Sequence, residues 1–170
     1  RVYLARDIGT AIPYFNLDAR GERVLSIDEV VAFVEAPDVT RPIGIRDRAM
    51  FELTYGCGLT WQELIELELA AVGMAAGTLH TATRTIPLPS VAREWLGRYL
   101  DDVRPSVVMA WGDCSGAAVP ARGGAGARLF LSFLHGASLM HSTIYSRLEL
   151  MRQRSGVAMP AAGGGMRMAL

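Results

Sequence analysis

The stretch Tyr55-Gly56-Cys57-Gly58-Leu59-Thr60-Trp61-Gln62-Glu63-Leu64 decides how this chain is read. Gly56-Cys57-Gly58 is a helix stop, because glycine supports the left-handed backbone at which helices commonly end. Thr60-Trp61-Gln62-Glu63 is a helix start: Thr60 caps the first turn and Glu63 reaches back, the reciprocal pattern of a capping box. Two helices therefore meet at a tight glycine-containing turn, an αα corner. The preceding helix runs from about Ile45 to Tyr55 and offers Ile45, Ala49, Phe51 and Leu53 to a broad buried face. The following one carries Leu64, Leu67 and Leu69 inward.

Reading outward toward the N-terminus, Ser26-Ile27-Asp28-Glu29 is a second capping box. Behind it Ile27, Val30, Val31 and Val34 keep helical spacing until Pro37. Residues 1–22 hold Gly9, Pro13, Asn16 and Gly21 without a sustained period, and read as a linker or the remnant of a preceding segment. The first residue is Arg1, not Met, so the chain looks cut from something longer.

Toward the C-terminus the pattern changes. Thr78-Leu79-His80-Thr81 and Thr83-Arg84-Thr85-Ile86 are rich in β-branched residues and predict a short hairpin closed by Pro87. Ser90 caps a fourth helix bearing Val91, Trp95, Leu96, Tyr99 and Leu100, which Pro105 ends. Gly112 to Gly126 is a loose Gly-, Ala- and Pro-rich loop. Leu129-Phe130-Leu131 is a short buried strand or anchor, and a last helix spans roughly Leu139 to Arg154 with Gly156 beyond it. The fold class is mainly α with a small antiparallel β-hairpin or sheet, an α+β domain over residues 23–170.

With 170 residues, half of them apolar, the chain can bury one real core. No window approaches the ~20 apolar residues of a membrane helix, so no membrane partner is expected. Cys57 and Cys114 lie far apart without a secretory signature, which points to a reduced, cytoplasmic protein. His80, His135 and His141 pair with no cysteine or carboxylate at metal-ligand spacing, so no metal is expected. Net charge is zero, but its distribution is not even. Residues 1–113 hold 11 arginines against 16 acids, while residues 114–170 hold 6 arginines against Glu149 alone. A basic C-terminal third attracts phosphates, although an ordinary solvated surface gives the same count. Lysine is absent altogether.

Six stretches in this order resemble the catalytic domain of the tyrosine recombinase (phage integrase) family, of the Xer type. They are Leu25–Val30, Arg46-Asp47-Arg48-Ala49-Met50, Tyr55–Leu64, Arg84-Thr85-Ile86-Pro87-Leu88, Leu129-Phe130-Leu131-Ser132 and the helix from about Leu139. The resemblance covers about residues 23–157. It implies DNA strand breakage and rejoining through a tyrosine that forms a 3′-phosphotyrosyl link, with no metal or nucleotide cofactor. Two arginines would stabilise charge on the phosphate, and a hairpin lysine would protonate the leaving hydroxyl.

Position by position, the resemblance is incomplete. The family's first arginine follows Gly-Leu at the corner, where this chain has Thr60. A hydroxyl supplies neither a permanent charge nor a bidentate fork. Glu63 matches the family's acidic residue three positions on, and with Thr60 it equally forms a capping box. The hairpin lysine has no counterpart. Arg167 lies near the place of the second arginine, with Gly164 where histidine would stand, in a glycine-rich run that disfavours helix. Leu170 precedes the family's later histidine and nucleophilic tyrosine, and Tyr145, inside the last helix, is a core or groove residue. The expectation is therefore a catalytically inactive domain. Arg84, His141, Arg147, Arg152 and Arg154 match regions that approach duplex DNA, and weak, salt-sensitive binding is expected from them. Equally, these cations fit the solvated face of an amphipathic helix. The other reading is a noncatalytic protein–protein assembly module, self-associating or docking on other recombinase subunits, or a helical domain of unconnected role.

Overall fold

The fold was described from a computed structural model, which covers residues 25–115 and 128–157, without the side chains of 112–115. The expectations for residues 1–22, for the rest of the loop to Gly126 and for Arg167 lie outside the described residues. Helix α1 (Ile27–Glu35) opens on the expected box, with Ser26 Oγ accepting from Glu29 N and Glu29 accepting from Ser26 N. Helix α2 (Pro42–Cys57) follows, then α3 (Trp61–Glu66) and a 3₁₀ turn at Leu69–Ala71. Strands β1 (Val72–Gly73), β2 (Thr78–His80) and β3 (Thr85–Pro87) make an antiparallel sheet in that order, with Leu79 paired to Val72 on one side and Ile86 on the other. Helix α4 (Ser90–Arg98) runs into a π-helical turn, Tyr99–Val103, and then α5 (Arg104–Ser115). Helix α6 (His141–Ser155) ends at Gly156 with φ 68°.

Helix α2 is the axis of the core. It starts three residues earlier than its apolar spacing suggests, because Pro42 has its φ already set for a first turn and needs no N–H there. Every residue from Gly44 to Leu53 is buried, including Arg46, Asp47, Arg48 and Glu52. Buried charges require partners, and here they are used to join elements. Asp47 Oδ1 accepts from Arg46 at 2.8 Å and its Oδ2 accepts from Arg147 Nε on α6. Arg46 also donates to Leu131 O at 3.1 Å and lies over the Phe133 ring. Arg48 pairs with Glu52 at 2.7 Å and Glu35 of α1 at 3.3 Å, and lies over Trp95 of α4. Among the described residues no buried side-chain nitrogen or oxygen lacks a partner.

The segment 128–140, which turns back on itself through a bridge between Leu131 and Ser138, is bound into this frame. Leu129, Phe130 and Leu131 are buried as expected, and Leu129 N donates to Leu67 O at 2.8 Å. The buried Tyr99 hydroxyl donates to Leu129 O and accepts from Leu131 N, both at 3.1 Å. Burial raises its pKa.

Four local expectations are corrected. Ser90 is the first helical residue, and Pro89 stands at the cap without a side-chain bond. Pro105 does not end the helix. The widened π turn before it leads into α5, where proline occupies the second position and costs no intrahelical donor. Residues 112–115, expected as loop, therefore belong to α5. Helix α3 stops at Glu66, so Leu69 sits in the 3₁₀ turn and is 37% exposed rather than carried inward.

A polar surface where the helical corner meets the hairpin

Gly58 closes α2 at φ 61°, in the left-handed region that its lack of a side chain permits. The chain then turns through Leu59 into the box at Thr60. Thr60 Oγ1 accepts from Glu63 N at 2.8 Å, and Glu63 Oε2 accepts from Thr60 N at 2.9 Å. Two of the four orphan donors at the start of α3 are thereby satisfied. Replacing Thr60 by alanine is expected to cost about 1 kcal/mol, read as a shift of the denaturant midpoint, and replacement by serine to leave it nearly unchanged.

The hairpin brings a cation to this corner. Arg84 N donates to Thr81 Oγ1 at 3.1 Å, which shapes the β2–β3 turn. Its guanidinium crosses to the corner, where Nη2 donates to Gly58 O at 2.9 Å and to Glu63 Oε2 at 3.2 Å. The side chain remains 46% exposed. On the opposite flank His141, at the start of α6, meets Gln62 with Nε2 and Oε1 2.8 Å apart. Four elements thus converge: the end of α2, the start of α3, the hairpin and the start of α6. Of the residues singled out from sequence, Arg84 reaches Glu63 of the Thr60 box, and His141 reaches the neighbouring Gln62. Gln62 joins them and was missed, its one signal being its place inside the capping box.

The remaining candidates are elsewhere. Arg147 is 17% exposed and turned inward onto Asp47. Arg152 is held by Glu149 on its own helix at 2.6 Å, which lowers the Glu149 pKa to about 2. Arg154 is exposed at the far end of α6, beside Asp38 and Arg41. Thirteen residues of helix separate it from His141, about 20 Å. Arg147 and Arg154 do share a face, being about two turns apart, but Arg152 is rotated from Arg147 by roughly 140°. The arginines of α6 therefore make no single stripe. Tyr145 is half-buried against the core, as expected.

Cys57 lies under this surface. Burial pushes its thiol up to about 11, against the opposing pull of Arg84. At pH 8 it stays protonated and should react slowly with a thiol reagent when folded and fast in denaturant, measured in a Cys114→Ser background. The sign for stability follows: the folded thiol is the weaker acid, so its contribution is whole below the unfolded value near 8.5 and fades as pH rises toward 11. Equal labelling rates in the folded and denatured states would place Cys57 outside the core.

Chemically, the corner presents a guanidinium paired with the Glu63 carboxylate, an imidazole on the Gln62 amide, the Glu66 carboxylate on the same amide, and a hydroxyl spent on capping. Such a surface can take a phosphate by charge and hydrogen bonding. Among the described residues no group of histidines, cysteines and carboxylates is placed to hold a metal ion, and no helix is long and apolar enough to cross a membrane.

Comparison with known proteins identifies the fold and the family. The tyrosine recombinases XerD of Staphylococcus aureus and of Staphylococcus epidermidis are each 34% identical over 111 residues. Those matches take in 62% of this chain and 38% of each relative, so the chain spans well under half of their length. A crystal structure of XerA recombinase superposes with a TM-score of 0.59 over 78% of this chain and 43% of that one, at 20% identity, and shares the fold. The family model described as the phage integrase family matches residues 23–169, and with it the corner, the hairpin and the last helix find their common origin: the chain belongs to the phage integrase, or tyrosine recombinase, family.

Proposed function

We propose that this chain contacts duplex DNA through the corner surface and does not itself cleave it. The observation that carries this reading is the state of Thr60. At the position where the family resemblance calls for a phosphate-binding arginine, its short side chain is spent on the backbone of α3. The cation that reaches the corner is Arg84, and one edge of it is already committed to Gly58 and Glu63. That is enough to attract a phosphate and too little to stabilise one under attack, where fixed charge must meet charge that develops in the transition state. The sequence also contains no lysine to protonate a leaving hydroxyl.

Binding of this kind is dominated by the DNA backbone, so it should be weak, nearly indifferent to base sequence and steeply weakened by salt. A gel-shift titration of random-sequence duplex at about 50 mM and about 200 mM salt tests it. A shift at the lower concentration that fades at the higher one is expected. Absence of any shift at the lower one removes DNA from the account. Among the described residues the assembly reading has the exposed side chains of Ile27, Leu69, Met109, Trp111, Leu134 and Met140 behind it, and sedimentation of the free chain distinguishes the two.

A further inference from the structure

The end of α6 remote from the corner carries arginines that the corner surface does not use. Arg41, Arg147 and Arg154 line one cleft of about 110 Å³ together with Asp38 and Gly44. Arg147 and Arg154 face it from positions about two turns apart on α6, and Arg41 from the start of α2. Gly44 fixes the wall between them. A Cβ there would lie 1.9 Å from Asp38 O, so the turn after α1 packs directly on the helix backbone.

The charges in this cleft do not balance. Asp47 behind it is shared between Arg46 and Arg147. Asp38 is turned to its own loop, where Oδ1 accepts from Thr40 Oγ1 at 2.6 Å and Thr40 N at 3.2 Å. Those bonds, and after them Arg154 and Arg41, keep its carboxyl below the usual range. Three guanidiniums thus line the cleft against the single carboxylate of Asp38, with Arg46 and Asp47 paired behind it, an excess of two positive charges. Among the described residues, the Arg41 and Arg154 side chains hydrogen-bond to no neighbour. Like charges gathered on one cleft repel, and an anion seated between them removes that penalty.

Size narrows the ligand. At about 30 Å³ per water the cleft holds three or four waters, well short of the ~300 Å³ at which drug-sized pockets begin. One tetrahedral oxyanion suits it, and a nucleoside does not. We propose that this cleft is a phosphate-group site, with Arg41 and Arg154 donating directly and Arg147 forming its rear wall. The group is either free, as phosphate or a phosphomonoester, or part of a DNA backbone.

The probe is inorganic phosphate, titrated with the chain at constant ionic strength and followed by phosphorus NMR. Saturable binding is expected. The Arg41→Ala, Arg154→Ala double variant should weaken it by about tenfold or more, the scale of charge-assisted hydrogen bonds. Both side chains are exposed, and a thermal melt checks that the fold is kept. Asp38→Asn should instead tighten binding several-fold. It removes the opposing charge while its amide oxygen still accepts from Thr40, and a merely damaged fold would not bind more tightly. The loss caused by the double variant should be the same in an Arg84→Ala background, which removes phosphate taken up at the corner, so this site and the corner surface stand or fall separately. If Arg154→Ala also lowers the salt dependence of duplex binding, the phosphate belongs to DNA. If duplex binding is unaltered, the group is free, and either result fits the proposal. No saturable phosphate signal, a double variant that binds like the parent, or an Asp38→Asn variant that binds no tighter overturns it.

Discussion

Replacing Asp47 by alanine is expected to destabilise the fold by about 3–5 kcal/mol, the cost of removing one partner from a buried ionic cluster. The carboxylate is wholly buried and holds Arg46 through one oxygen and Arg147 through the other. Its loss leaves the Arg46 charge buried without a counterion and releases α6 from α2. At a typical slope of about 1–3 kcal/mol per molar urea, the midpoint falls by about one molar or more. Glu149→Ala breaks an exposed pair on α6 instead and should move the midpoint little, since solvent screens such a pair. Chemical denaturation of both variants makes the comparison. A small effect at Asp47 would mean that the cluster is not what joins the two helices.

The second large effect concerns chemistry. A duplex nicked so that cleavage traps a covalent protein–DNA product should give no such product with this chain. Removing one charge-stabilising donor commonly lowers a rate by ~10²–10³, and at the corner Thr60 stands where a guanidinium would be required. Thr60→Arg should tighten duplex binding by adding a cation beside Arg84, yet without a lysine it should still yield no covalent product. A band of slower mobility that survives denaturation, from either protein, would show that the corner carries more catalytic power than its charges indicate.

The parts of this molecule that were legible in the sequence are those fixed by neighbours in the chain. The boxes at Ser26–Glu29 and Thr60–Glu63 close within three residues, so their letters suffice. Gly58 and Gly156 mark helix ends for an equally local reason. What escaped depends on residues far apart. Arg84 reaches Gly58 across 26 positions, and Asp47 meets Arg147 across 100. Counting apolar letters in Arg46-Asp47-Arg48-Ala49-Met50 cannot show that its three charges are inside, since burial is decided by the partners that α1, α6 and the 128–140 segment bring. Pro105 misled for another reason. The rule that proline stops a helix assumes an unbroken i to i−4 ladder, and the π turn at Tyr99–Val103 resets it. The candidate site was half legible: its residue types came from the resemblance, and its division into two ends of α6 came only from the fold.

The most direct test of the account is the salt dependence of duplex binding for the parent chain and for Arg84→Ala. Each phosphate contact contributes about 0.9 to the slope of log affinity against log salt. Loss of about one such increment in Arg84→Ala, with the thermal melt unchanged, is the predicted result. A variant whose slope equals that of the parent would show that DNA is held elsewhere and that the corner is not the contacting surface.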